Sequence, residues 1–144
     1  MNRRPDPTSN GQPFIWPLRV YYEDTDLGGV VYYANYLKFM ERARTEWLRT
    51  LGFEMSTMAR ESNCQFVVIR AEVDFRQPAR LDDALRASVC VVRRTPARLV
   101  LEQRIDRGEE PLVEGRITLA CITVDTFRPS PMPPALVRTL ETLA

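Results

Sequence analysis

The sequence predicts an α+β domain in which a five-stranded antiparallel sheet curls around one long helix. Three observations carry that expectation. One stretch has helical apolar spacing for about five turns. Five other stretches alternate apolar and polar residues with period two. The last four of these are joined mainly by short turns, which antiparallel pairing accommodates and parallel pairing does not. A lone helix with a broad apolar face has one sheet to cover, and wrapping that sheet around it is the economical solution.

Taken in order, residues 1–14 come first and open MNRRPDPTSNGQP. They are polar, rich in Pro and Asn and without an apolar signal core, and are expected to be a disordered tail. Trp16, Leu18, Val20 and Tyr22 alternate with Pro17, Arg19, Tyr21 and Glu23, a strand over 16–23. The run DTDLGG, residues 24–29, signals a turn. Tyr36, Met40, Ala43, Trp47 and Leu51 then repeat at helical spacing, with Leu37 and Leu48 widening the stripe. This predicts a helix over 34–51, stopped by Gly52. A partly helical connector spans 52–64. Four strands follow, on Val67, Ile69, Ala71, Val73 and Phe75; on Leu85, Ala87, Val89 and Val91; on Leu99, Leu101, Gln103 and Ile105; and on Val113, Ile117, Leu119 and Cys121. Pro78, Thr95-Pro96 and Arg107-Gly108 mark the turns between them. The tail after Arg128 holds four prolines and a short helix candidate near 134–142. The domain is read as 15–130, with 131–144 as a Pro-rich C-terminal segment.

Composition narrows the function. The chain has 144 residues, enough for one domain with its own core. Its net charge of +1, with arginines interleaved among acids, gives no electrostatic case for nucleic acid. No apolar run is long enough for a transmembrane helix. The three cysteines, Cys64, Cys90 and Cys121, have neither zinc nor disulfide spacing and fit a reduced cytoplasmic setting. There is no histidine at all. Any base or nucleophile must then be a carboxylate, Cys, Tyr, Ser or Lys38, the only lysine. Asp24, Asp26 and Gly29 have the look of a calcium loop, but its twelfth position is Asn35 rather than Glu, so a metal reading is rejected.

With strand, acidic turn and helix placed, YYEDTDLGGVVYYANYLKFMERARTEWLR, residues 21–49, resembles the opening of YbgC-type acyl-CoA thioesterases, in the 4-hydroxybenzoyl-CoA thioesterase superfamily. The resemblance continues through FVVIRAEVDFRQPARLDD, residues 66–83, and covers about 15–130. It implies the hotdog fold, hydrolysis of an acyl-CoA without a cofactor, and a homo-oligomer, dimer or tetramer. An acyl carrier protein stays open as a partner. It also implies that the second Asp of the DTD turn, Asp26, is the catalytic carboxylate, and that the backbone N–H at Tyr33 polarises the thioester carbonyl. Relatives usually carry His where this chain has Tyr33, although the 4-hydroxybenzoyl-CoA branch has an aromatic there. In the loop RRTPAR, Arg98 stands where a small hydroxyl residue is common, so that phosphate contact is not carried over.

The chemistry suits those residues. A helix N-terminus offers unpaired N–H groups and a positive dipole end, which can stabilise an oxyanion as it forms. Asp26 can attack the carbonyl or activate water; without the motif it reads equally as a turn residue. Gly28 and Gly29 allow close approach to substrate, and Val30 and Val31 continue that wall. Asn35 either bonds near the helix start or faces the pocket. Asp24 orients the turn, and Glu41 pairs with Arg44 or Arg42. Arg93, Arg94, Arg98 and Arg128 are candidates for CoA phosphates, because guanidinium forks match phosphate oxygens. The rivals to hydrolysis are a non-catalytic acyl-CoA or carrier-protein binding module, and a hotdog dehydratase, which usually works with His.

Overall fold

A computed structural model describes residues 13–143. The expected N-terminal tail lies almost wholly outside them; its last residue, Phe14, already opens the first strand. The elements are β1 (Phe14–Arg19), a single 3₁₀ turn (Tyr22–Asp24), α1 (Asn35–Thr50), α2 (Met55–Ser62), β2 (Cys64–Phe75), β3 (Ala84–Thr95), β4 (Arg98–Arg107), β5 (Glu110–Thr123) and α3 (Pro134–Thr142). The five strands form one antiparallel sheet in the order β1-β3-β4-β5-β2. The sheet carries α1 on one face, the hotdog arrangement that the resemblance implies.

α1 buries Tyr36, Phe39, Met40, Ala43, Trp47 and Leu48 against a strand face built from Leu85, Ala87, Val89, Leu99, Leu101, Ile105, Val113 and Ile117. Leu37 is exposed and Phe39 takes a place in the stripe instead. At about 100° per residue, Leu37 points away from the line through Tyr36, Met40 and Ala43, whereas Phe39 lies within that arc. The helix ends as its sequence asks. Gly52, at φ +92°, donates to the Arg49 carbonyl (3.0 Å) and Phe53 to that of Leu48 (2.9 Å), the paired bonds of a Schellman cap. From the C-terminal segment, Met132, Leu136 and Leu140 enter the same core.

Two strands depart from their sequence pattern. The first ends at Arg19, not Glu23. Val20 leaves the ladder to exchange hydrogen bonds with Asp82 and Asp83, and the Asp24 carboxylate then accepts the Tyr21 N–H (2.8 Å), closing the 3₁₀ turn. In β2 the apolar positions do not share one face. Val68 pairs with Leu119 but Arg70 with Thr118, so Ile69 is a bulge that adds one residue. Val67 faces outward beside Ala120, whereas beyond the bulge Ala71 lies beside Ile117 on the core face. A one-residue slip exchanges faces, and alternation alone cannot reveal it.

Among the described residues, one polar side chain, that of Gln103, is completely buried. Gln103 donates to the Met40 carbonyl (3.0 Å) and the Ser88 carbonyl (3.3 Å) and accepts from Arg44 (3.0 Å). Arg44 therefore turns inward. Burial lowers its pKa, and the charge of Glu41, one turn earlier, partly restores it. Cys64 and Cys121 are free and buried, and the Cys121 thiol donates to the Pro131 carbonyl (3.8 Å). Burial foremost, with the neighbouring thiol, pushes Cys121 up to about 12, so it packs as a small hydrophobe.

Candidate active site

The DTDLGG segment folds as a tight hairpin whose chemistry is local. The Gly29 N–H bonds the Asp26 carbonyl (3.0 Å) and the Gly28 N–H bonds Asp26 Oδ1 (2.8 Å). Asp thus occupies the first turn position, where its side chain can mimic backbone, and Gly29 supplies the left-handed φ of +78°. The Asp26 N–H donates to the Val30 carbonyl (2.9 Å), and Thr25 bridges Val31. Asp26 is therefore exposed on a braced turn, with one carboxylate oxygen held by Gly28.

The hairpin is fastened to the loop after β2. Val31 is buried and its N–H bonds the Ala79 carbonyl (2.9 Å), while Val30 bridges Arg80. Beneath, Asp83 accepts from the Arg80 N–H (2.8 Å) and from Arg107 (2.7 Å). Burial opposes the charge on Asp83, but these donors hold its carboxyl below the ordinary value.

The entry to α1 follows directly. Asn35 N bonds the Tyr32 carbonyl (2.8 Å) and Tyr36 N that of Tyr33 (3.3 Å). The N–H groups of Tyr33 and Ala34 have no partner among the described residues. They stand at the N-terminal, positive end of a 16-residue helix. A cavity of about 240 Å³ opens beside them, lined by Val31, Tyr33, Tyr36, Phe75, Arg76, Gln77 and Pro78. Phe75 meets Tyr33 edge-on (6.0 Å between centroids) and tilts against Tyr36 (5.8 Å). Tyr36 is buried, and its hydroxyl accepts the Ala79 N–H (3.0 Å). Burial, opposed by that bond, raises its pKa. The Tyr32 phenol is raised too, chiefly by the neighbouring Tyr33 phenol.

The structure thus brings together Asp26, Gly28, Gly29, Val30, Val31, Tyr33 and Asn35. It does not bring the arginines to them within one chain. Arg93, Arg94 and Arg98 flank the β3–β4 hairpin, and Arg128 joins that end through its bonds with Thr123. The Asp26 hairpin is tied to the opposite end of the sheet, where Ala84 opens β3. Arg94 is ten residues further along that strand, roughly 30 Å away at the usual rise. All four arginines are exposed and lack an ion-pair partner among the described residues. Phe75 and the Tyr36 hydroxyl were not singled out from sequence. The Phe75 signal was an aromatic ending an apolar alternation just before Pro78, which is equally the signature of a core strand.

A family model described as the Thioesterase-like superfamily matches residues 20–140. The chain is 43% identical over 120 residues to the acyl-CoA thioesterase YbgC of Haemophilus influenzae, covering 83% of this chain and 88% of that one. It is 42% identical over 125 residues to the acyl-CoA thioester hydrolase YbgC of Escherichia coli, covering 86% and 92%. The crystal structure of a probable thioesterase from Bartonella henselae superposes with a TM-score of 0.81 at 37% identity, covering 85% of this chain and 100% of the other.

Proposed function

The chain belongs to the Thioesterase-like superfamily, a thioester hydrolase of its YbgC type, and we propose that it cleaves an acyl-CoA to free acid and CoA with Asp26 as nucleophile or general base and the Tyr33 N–H as carbonyl donor. One observation carries the assignment of roles. The Asp26 carboxylate sits on a braced hairpin that leads directly into the α1 entry, whose unpaired N–H groups lie beside an aromatic cavity. A thioester whose oxygen meets those N–H groups places its acyl group in the cavity. Charge growing on that oxygen is met by pre-aimed donors. Asp26 stands on the same hairpin to attack the carbon or take a proton from water, and a chain without histidine offers few other bases.

The working unit is a homo-oligomer, in our reading, because one chain leaves the site open. Phe75 is 50% exposed, and Val68 and Ile69 are 49% and 47% exposed on β2, an unpaired sheet edge. A second copy on that edge covers apolar surface and pairs the edge. It also offers its own arginine-bearing hairpin to the CoA phosphates, which the first chain's hairpin is too distant to meet. Among the described residues no helix is long and apolar enough to cross a membrane.

The test is Asp26→Asn, assayed against a panel of acyl-CoAs. The expected outcome is an unchanged melting curve and a kcat lower by about 10²–10⁴-fold, the usual worth of a positioned acid or base. A folded Asn variant with near parental turnover removes Asp26 from the mechanism.

A further inference from the structure

We propose that Asn35 is a positioning residue that aims the Tyr33 and Ala34 N–H groups, rather than a group that touches substrate. The inference rests on the reading of those N–H groups as carbonyl donors, and names what holds them. Asp24 is fixed first: its carboxylate accepts the Tyr21 N–H (2.8 Å) and its own N–H bonds the Tyr21 carbonyl (3.0 Å). Its carbonyl oxygen then accepts two donors, Tyr32 N and Asn35 Nδ2, each at 2.9 Å. A carbonyl has two lone pairs, so both bonds are made without competition.

The two donors bracket the segment that matters. Tyr32 precedes Tyr33 and Asn35 follows Ala34, and Asn35 N closes the loop on the Tyr32 carbonyl (2.8 Å). Both ends of a four-residue span are therefore clamped to one point, and the two free N–H groups lie between them. Helix entry does not itself require the Asn35 amide, because Ala34, at the cap position, has helical φ and ψ and no side-chain cap bond. The amide is half-buried and already committed to the Asp24 carbonyl, which leaves it poorly placed to bind a ligand.

The test uses Asn35→Ala and Asn35→Ser in the full chain. Neither side chain reaches the Asp24 carbonyl, and serine is well tolerated at helix starts, which secures a folded variant. Removing an oxyanion donor outright costs about 10²–10³-fold in kcat, and misplacing a reacting group by about 1 Å costs about 10². Loosening the donors is expected to lower kcat by about 10- to 100-fold with KM within about threefold. Backbone ¹⁵N relaxation supplies a readout independent of turnover. Order parameters at Tyr33 and Ala34 are expected near 0.85 in the parent and to fall toward 0.6 in the variants. A raised KM at unchanged kcat would assign Asn35 to substrate and overturn the proposal. Unchanged order parameters in a folded variant overturn it as well, even if the parent hydrolyses no acyl-CoA offered, a result that would instead sink the functional reading.

Discussion

At the scale of single residues, Tyr33 poses the sharpest question, because it stands at the helix entry in a chain that has no histidine. Its backbone N–H is unpaired, whereas its ring packs on Tyr32 (4.9 Å between centroids) and Phe75. Main chain and side chain can be separated. Tyr33→Phe keeps the donor and the ring, and is expected to stay within about tenfold of the parent, mostly through KM. Tyr33→Pro deletes the donor at a position where a helix start tolerates proline, and is expected to lose about 10²–10³-fold in kcat. Steady-state kinetics on folded samples decides. If Tyr33→Phe abolishes hydrolysis while CoA still binds, the phenol is itself a reacting group. That Asp26 and Tyr33 lie close together is legible in the sequence, because both sit on one continuous motif at the turn and helix start. The place of Phe75 is not, since only the pairing of β2 shows that its ring turns toward the helix entry. By sequence the Asn35 amide fits a helix start or a pocket equally, and the Asp24 carbonyl it bonds ends a 3₁₀ turn whose first two residues, Tyr22 and Glu23, read as strand.

At the scale of elements, the strands of the sheet were legible where alternation is undisturbed. Leu99, Leu101, Gln103 and Ile105 in β4 are all buried as one face. Legibility failed where a strand slips, at Ile69 in β2, because an inserted residue preserves the look of alternation while reversing its meaning. Further slips lie between Val91 and Arg93 in the β3–β4 pair and between Ile105 and Asp106 in the β4–β5 pair, where Asp106 faces Pro111, which has no N–H for a ladder. Asp106 is held by Arg104 at 3.1 Å through Oδ2, but its Oδ1 is buried without a partner among the described residues. Burial raises its pKa above the ordinary 3.8, against the pull of Arg104. A carboxyl whose folded pKa is raised contributes its stability below the ordinary value and loses it as pH climbs through the folded value. Asp106→Asn, which cannot ionise, is therefore expected to gain on the parent as pH rises from about 4 to about 8. Melting temperatures of the two proteins across that range check this; a pH-independent difference contradicts the assignment of strain to the charged form.

At the scale of the whole molecule, the exposed edge of β2 and the open site both support the proposed second chain. Light scattering on the purified protein is expected to give a dimer or a larger even assembly. Val68→Asp, which places a charge on the inner face of that edge, is expected to shift it toward monomer. A stable, active monomer would contradict this assembly. From the sequence, an oligomer is expected on the family resemblance and on a single sheet whose uncovered side needs shelter. The physical reason, an apolar edge strand beside an uncovered site, depends on β2 being the last strand in the sheet, a fact of topology that no single segment contains. The distance between the arginine hairpin and Asp26 has a genetic consequence. If the hairpin serves the neighbouring chain's site, a protein bearing Asp26→Asn and one bearing Ala at Arg93, Arg94 and Arg98 are each defective in a different half of the same machine. Unfolded or dissociated together and allowed to reassociate at random as dimers, they would form mixed pairs in which one site inherits both lesions and the other neither. Activity would then recover to about a quarter of the parental value from two nearly silent parents, the signature of intersubunit complementation. A mixture that stays at the average of its parents would place the arginines in the service of their own chain, or of none.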